Sequence, residues 1–350
     1  HIPHLLRPIY VTLLKCLIVI LKTMDKKVLI TGCVGLIGSH FSRYLLDKGY
    51  KVYGIDDLSG GYEDNLPFGE HFHFYCGSVT DKKWFDAVFE SIKPDYVYHF
   101  AAYAAEGLSP FIRNFNYTNN LIGSVNVINN CVKFNSKLIF TSSMAVYGGG
   151  SPPFHEDDIP NPVDPYGIAK YAVEMDIKQA HEQFGLRYTI VRPHNIIGIY
   201  QNIWDKYRNV IGIWIRQVLK GEPITIFGDG TQKRAFSDIK FYMEPLEKLM
   251  EQGDSEIFNL GADKEYQLKH VAEAVYALHP VSSIQYLEKR HEVKNAYCDH
   301  AKAKALLDFK DETNLVDTIK EMFLWAEQQP DREVKRVPYE LEKGMYEYWK

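Results

Sequence analysis

This chain has no closely spaced cysteines, no large excess of charge of one sign and no internal repeat. Its five cysteines are far apart, so the sequence offers neither a disulfide framework nor a zinc site, and it suits the reducing cytoplasm. The formal net charge of −5 gives no reason to expect nucleic acid or an anionic membrane as a partner. With 46% apolar residues and no low-complexity segment, the composition is that of an ordinary globular protein, and we expect no metal.

A long uninterrupted apolar run is also missing. Residues 9–21 come nearest, but Thr12 and Lys15 interrupt them, and the stretch falls short of the ~20 residues that a membrane span needs. We therefore interpret residues 1–23 as a leader or upstream remnant outside the fold, with Met24 as the natural start. The alternative interpretation is a membrane anchor or signal segment.

A glycine-rich turn lies between an apolar run at 27–30 and a helical pattern. Gly32 and Gly35 would let the backbone approach a pyrophosphate, and Gly38 would let the helix pack close to the strand. About twenty residues later, Asp56 ends a second apolar run, where its carboxylate could accept both hydroxyls of an adenosine ribose. Because that carboxylate would repel a 2′-phosphate, the pattern favours NAD over NADP. The candidate cofactor contacts here are Gly32, Gly35, Leu36, Ile37, Gly38, Asp56 and Asp57.

Short apolar runs alternate with amphipathic stretches, which predicts an α/β fold with a Rossmann-type, doubly wound parallel sheet. Strands are predicted at 27–31, 51–55, 71–76, 96–100, 137–142 and 187–192. Helices are predicted near 37–48, 81–91, 114–134 and 165–184. We expect an NAD-binding domain at 24–193. Residues 194–350 should mainly form a smaller α/β substrate lobe, with some return to the first domain.

A tyrosine and a lysine four residues apart open the last of these helices. Tyr166 and Lys170 would share one helical face, and an ammonium beside a nicotinamide cation would favour the phenolate. Ser143 follows a strand at the edge of the sheet where ligands bind, so its hydroxyl could share a hydrogen bond with a reacting oxygen. These three residues are the candidate catalytic set, and Tyr166 and Lys170 are also candidate cofactor contacts.

This combination of glycine turn, serine, tyrosine and lysine resembles the extended short-chain dehydrogenase/reductase superfamily, from about Lys26 to at least Phe309. The resemblance implies that the segment His99-Phe100-Ala101-Ala102 lines the cofactor and that Asn120 supports the site. It also implies substrate contacts from Asn195 and a diphosphate held by two arginines. The residues given these roles are Ala101, Ala102 and Asn120 for the cofactor, and Asn195, Arg234 and Arg290 for the substrate.

The residues after Ser143 separate the reactions within this superfamily. Dehydratases and decarboxylases usually carry acidic residues there, whereas this chain has Met144-Ala145, which resembles the UDP-glucose 4-epimerases. The resemblance therefore implies an NAD-dependent 4-epimerase that acts on a nucleotide sugar, UDP-linked, through a transient 4-keto sugar. In these epimerases the position of Ala296 often gates the 2-substituent, and a small residue there implies that N-acetylhexosamines are accepted.

Two rivals remain open. One is an NAD(P)-dependent dehydratase, decarboxylase or reductase of the same superfamily, and the other is a non-catalytic nucleotide-binding protein. Analogy with related proteins also implies a homodimer that pairs the helices at 114–134 and 165–184.

Overall fold

The structure is a computed structural model that describes residues 25–279 and 283–350. The predicted leader at 1–23 lies outside the described residues. Within them, no helix combines the length and the apolar character that crossing a membrane requires.

Seven parallel strands form the central sheet in the order β3-β2-β1-β4-β5-β6-β11. Their bounds are β1 Lys27–Thr31, β2 Lys51–Asp56, β3 Phe72–Cys76, β4 Tyr96–His99, β5 Lys137–Thr141, β6 Tyr188–Pro193 and β11 Glu256–Leu260. The strand order reverses between β1 and β4, which makes their carboxyl ends the place where ligands bind in such sheets. The predicted doubly wound parallel sheet is confirmed.

Five helices lie between residues 25 and 193. They are α1 Leu36–Asp47, α2 Lys82–Ile92, α3 Arg113–Tyr117, α4 Gly123–Phe134 and α5 Pro165–Phe184. Alternate residues of β1 pack on opposite faces of the sheet: Val28 and Ile30 join one buried cluster, and Leu29 joins another. Because both faces are covered, the strands are almost continuously apolar, as parallel strands usually are.

The single helix predicted at 114–134 is interrupted in the structure. A π-helical turn, Thr118–Ile122, separates α3 from α4. At its centre Asn120 turns its amide inward, donating to the Tyr103 carbonyl oxygen at 3.0 Å and accepting from the Tyr103 N–H at 2.8 Å. Such turns are common at functional sites. A periodic pattern cannot reveal the one extra residue that a π turn accommodates.

The rest of the chain forms short strands and helices around a separate apolar cluster that includes Trp214, Ile226, Val271 and Ile319. The strands are β7 Ile196–Ile197, β8 Ile224–Phe227, β9 Lys233–Ala235, β10 Ser237–Asp238, β12 Glu265–Gln267, β13 Ile284–Leu287 and β14 Asn295–Ala296. The helices are α6 Val210–Leu219, α7 Met243–Lys248, α8 Leu268–Leu278, α9 Ala301–Leu307 and α10 Leu315–Ala326. Strand β11 lies in the main sheet beside β6, so this part of the chain returns to the first.

A buried histidine joins β1, β4 and α4. The Ser124 hydroxyl donates to the Asn120 carbonyl oxygen, so it accepts from His99 Nε2 at 2.9 Å. His99 Nδ1 then accepts from the Thr31 hydroxyl at 2.7 Å. These partners suit a neutral imidazole. Burial, with a smaller contribution from Lys170, lowers the pKa of His99 to about 3.

We expect this histidine to make the fold sensitive to acid. The unfolded chain takes up a proton near pH ~6.5 that the folded chain refuses until about 3, so stability is lost as the pH falls through that window. The His99→Gln variant should be less stable than the wild type at pH 7.5. Between pH 7.5 and 5 it should lose about 2 kcal/mol less unfolding free energy than the wild type. Urea unfolding at both pH values measures this difference, and equal losses would contradict the assignment.

Candidate active site

A cavity of about 740 Å³ opens at the carboxyl ends of the central strands, between the sheet and the second part of the chain. Most of the predicted site residues line it: Gly32, Gly35, Leu36, Ile37, Gly38, Ala102, Ser143, Tyr166, Lys170, Asn195, Arg234 and Arg290. Five predicted site residues do not line the cavity: Asp56, Asp57, Ala101, Asn120 and Ala296.

Close approaches of the backbone require the glycines of the turn between β1 and α1. Gly32 has a φ of +73°, and a Cβ atom there would lie 2.8 Å from the Ala101 nitrogen. At Gly38 a Cβ atom would lie 2.2 Å from the Gly32 carbonyl oxygen, so only glycine lets α1 start against the strand. Gly35 immediately precedes α1. The unpaired N–H groups at the start of this helix, together with the helix dipole, favour an anion there. The turn therefore fits a dinucleotide pyrophosphate.

Asp56 lies at the outer edge of this turn. Its carboxylate accepts hydrogen bonds from the Val34 N–H at 3.1 Å and the Leu58 N–H at 2.9 Å, and burial raises its pKa to about 6. Asp57 accepts from the Ser59 N–H at 2.9 Å. The position of Asp56 after β2 is compatible with a ribose contact, but the ribose roles of both residues stay predictions.

The catalytic candidates come from the end of β5 and the start of α5. Tyr166 and Lys170 are buried, and the lysine Nζ donates to the Thr141 carbonyl oxygen at 2.7 Å. Lys170 Nζ lies 5.9 Å from the centre of the Tyr166 ring. The Ser143 hydroxyl oxygen accepts from the Ala145 N–H at 3.1 Å, which leaves its proton free for another acceptor. The three side chains therefore meet at one wall of the cavity.

Burial is the largest influence on the pKa values of Tyr166 and Lys170. It raises the pKa of Tyr166 above its usual value, with a further rise from Glu106, while a hydrogen bond from Ser143 lowers it. Burial lowers the pKa of Lys170 to about 7, and Glu174 opposes that shift. The protein's own groups thus favour a phenol at Tyr166. The expectation that the neighbouring ammonium and a nicotinamide cation would both favour the phenolate stays a prediction.

A relay of amides positions Tyr166. The Asn120 amide donates to Asn116 Oδ1 at 2.9 Å, and the Asn116 amide donates to the Pro165 carbonyl oxygen at 2.9 Å. Asp164 caps α5 by accepting from the Gly167 N–H at 2.8 Å. Asn120 is thus connected to the first turn of α5 through one neighbour, which is compatible with its predicted supporting role. Ala101 donates its N–H to the Thr31 hydroxyl at 3.2 Å behind the cavity.

The two arginines predicted to hold a diphosphate share one carboxylate. Arg290 Nη2 donates to Glu292 at 3.0 Å, and Arg234 Nη2 lies 3.9 Å from the same oxygen. Asn195, with a φ of +41°, also lines the cavity. Within residues 25–279 and 283–350, its buried side-chain nitrogen has no hydrogen-bond partner. These groups offer fixed positive charge and an unused donor to an anionic ligand.

Ala296 takes a different position. It lies on β14 opposite Arg234 in β9, and its side chain packs with Met144, Phe154 and Cys298 in a buried cluster. Its proposed influence on the 2-substituent therefore stays a prediction.

Two carboxylates of this region were missed by sequence reasoning. Glu106 lines the cavity after β4, and Glu174 is buried beneath Ser142 and Arg192. Signals for both existed. Glu106 is a charge within a run of small residues at a strand's carboxyl end, and Glu174 follows Lys170 by one helical turn.

A family model described as the NAD-dependent epimerase/dehydratase family matches residues 28–261. The chain belongs to this family. The resemblance to the extended short-chain dehydrogenase/reductases is confirmed, and NAD is the cofactor. The glycine turn, the open helix N-terminus and the buried lysine fit that cofactor.

Relatives of known name carry out more than one reaction. The UDP-glucuronate 4-epimerase of Thermodesulfobacterium geofontis is 29% identical over 317 residues, which cover 86% of this chain and 96% of that protein. The UDP-N-acetyl-alpha-D-glucosaminuronate decarboxylase of Bacillus cytotoxicus is 30% identical over 321 residues, covering 86% and 98%. The crystal structure of Thermotoga maritima UDP-glucose 4-epimerase with UDP-glucose matches with a TM-score of 0.80 and 30% identity, covering 86% and 98%. The family therefore indicates an NAD-dependent sugar-nucleotide enzyme.

Proposed function

We propose that the protein is an NAD-dependent nucleotide-sugar 4-epimerase that acts on a UDP-hexose or UDP-N-acetylhexosamine. The observation that carries this proposal is the meeting of Ser143, Tyr166 and Lys170 at one wall of the cavity. Met144 and Ala145 follow the serine, and both are buried. Because neither side chain is ionisable, neither supplies a second proton-transfer group. Sequence relatives include 4-epimerases, which supports the same conclusion.

Each group has a role in this proposal. Tyr166 takes the proton of the sugar 4-hydroxyl and later returns it, and the Ser143 hydroxyl shares the hydrogen bond to that oxygen. NAD, when bound, would supply the acceptor for the C4 hydride of the sugar and would return that hydride to the other face of the 4-keto sugar. Lys170 would hold the cofactor's ribose, and its ammonium together with the cofactor's positive charge would lower the pKa of Tyr166, which burial raises.

The far end of the substrate stays fixed during the reaction. Arg234 and Arg290 would hold the diphosphate, with Asn195 donating from the same wall. Binding energy spent on the nucleotide then confines the oxidised sugar while its C4 turns over. The nucleotide part is proposed to be UDP because the 4-epimerases among the relatives are named for UDP-sugars.

The purified holoenzyme should interconvert UDP-glucose with UDP-galactose, or the corresponding N-acetylhexosamines, without accumulating NADH. Replacing Tyr166 by Phe should lower turnover by roughly 10²–10⁴-fold, because it removes the group that moves the proton. Tyr171→Phe, which removes a hydroxyl from the same helix outside the cavity lining, is the matched control. Product analysis by chromatography and absorbance at the NADH band measure both outcomes.

Three results would each contradict a part of this proposal. Accumulating NADH would indicate a one-way dehydrogenase. A wild type as slow as Tyr166→Phe would favour the non-catalytic nucleotide-binding protein. Turnover restricted to plain hexoses would remove the role given to Ala296 in accepting the acetylated sugars.

We further propose a homodimer that pairs α4 and α5 with their copies. Large apolar side chains are exposed along this side of the molecule: Ile122, Ile168, Met175 and Phe184. Ile168 and Met175 are seven residues apart and share one face of α5. Contact with a second copy would bury them, so we expect a dimer at micromolar concentration by sedimentation equilibrium. The Met175→Glu variant should dissociate it, and a wild-type monomer would contradict the pairing.

A further inference from the structure

An acidic side chain opens into the cavity where the sugar would lie. Glu106 belongs to the loop after β4, and it lines the cavity together with Tyr166, Arg234 and Arg290. In the described ranges, 25–279 and 283–350, no group donates a hydrogen bond to its carboxylate. The same loop continues with Gly107, which also lines the cavity. A carboxylate without a donor is available to a ligand.

Ser109 and Arg290 lie on two sides of this loop. On one side the Ser109 hydroxyl donates to the Glu106 carbonyl oxygen at 2.8 Å and accepts from the Tyr166 N–H at 3.2 Å. On the other side a Cβ atom on Gly107 would lie 3.5 Å from Arg290 Nη1. The backbone of Glu106 is therefore held between the start of α5 and the arginine pair.

The charge of Glu106 influences the pKa values of both Tyr166 and Arg234. It raises the pKa of Tyr166, and it opposes the lowering of the Arg234 pKa by burial. The Glu106 side chain is exposed to the solvent that fills the cavity. Burial raises its own pKa, with Asp164 and Glu292 adding to the rise and the two arginines opposing it. It is therefore placed to sense a charge on any group bound between Tyr166 and the arginines.

We propose that Glu106 is a specificity-determining residue that excludes nucleotide sugars with a carboxylate on the sugar ring. The inference rests on the proposed function, because it requires the sugar to span the distance from Tyr166 to the diphosphate held by Arg234 and Arg290. The proposal requires that a carboxylate on such a ring lies close to Glu106, which lines the same cavity as Tyr166 and the two arginines. Like charges at close range in a partly buried site cost enough to lower affinity roughly tenfold to a hundredfold.

The charge of Glu106 would therefore favour neutral sugars, a class that includes both hexoses and N-acetylhexosamines. Three carboxylates line the cavity, Glu106, Asp164 and Glu292, and Arg234 and Arg290 are already paired with Glu292 and would meet the diphosphate. Lysines and arginines also line the cavity, so the repulsion expected for a ring carboxylate is a local effect of Glu106.

The test compares UDP-glucose and UDP-glucuronate on the NAD-loaded wild type, Glu106→Gln and Glu106→Asp at pH 8. Dissociation constants from calorimetry and kcat/KM values are measured for both ligands. We expect the wild type to favour UDP-glucose. Glu106→Gln should shift the ratio toward UDP-glucuronate by at least roughly tenfold, while Glu106→Asp, which keeps the charge, should retain the wild-type preference.

Other outcomes overturn the inference. An unchanged ratio in Glu106→Gln would show that the charge does not select the sugar. Equal losses with both ligands would make Glu106 a counter-charge for the arginines or a participant in the chemistry. If the wild type turns over neither sugar, the proposed function fails, and the ratio of dissociation constants still decides the role of Glu106.

Discussion

The buried carboxylate of Glu174 is the constraint on which the site depends. It accepts hydrogen bonds from Arg192 Nε at 2.9 Å and Nη2 at 2.6 Å, and from the Ser142 hydroxyl. Ser142 adjoins Ser143 at the end of β5, and Arg192 lies in β6. One side chain of α5 thus fixes the helix against two strand ends. Removing one partner of a buried ion pair typically costs about 3–5 kcal/mol, so the arrangement tolerates little change.

The same burial that fixes the geometry sets the chemistry. Lys170, one helical turn before Glu174, is dry enough for its pKa to fall to about 7, and Tyr166 is held as a phenol. A phenol at Tyr166 cannot accept a proton, so the protein alone does not supply the base that the proposed reaction needs. A bound cation would shift Tyr166 toward the phenolate, and that phenolate would in turn favour the ammonium of Lys170, which the cation alone would disfavour. The site is therefore built to become reactive on loading, and a carboxylate at Glu106 adds charge selection beside it.

Local patterns were enough to predict the parts of the fold that short segments decide. The strand-turn-helix around Gly32 and Gly38 follows from steric needs that only glycine meets, and Tyr166 and Lys170 share a face because helical spacing puts them there. The sequence did not indicate which sheet Glu256–Leu260 would join, since an isolated apolar run carries no information about its neighbours. Local signals marked Glu106 and Glu174 in the sequence, but the Glu174–Arg192 pair and the position of Glu106 in the cavity could not be predicted from them. They depend on contacts between residues far apart in the chain.

The central claim is that Lys170 and the bound cofactor together reverse the effect of burial on Tyr166. Ultraviolet difference titration of the NAD-loaded protein tests it, with the tyrosinate signal assigned by subtracting the Tyr166→Phe variant. The account predicts that Tyr166 ionises at a lower pH in the loaded protein than in the protein stripped of NAD, and that Lys170→Met moves this ionisation back up. A Tyr166 ionisation that neither the cofactor nor the Lys170 substitution changes would contradict it.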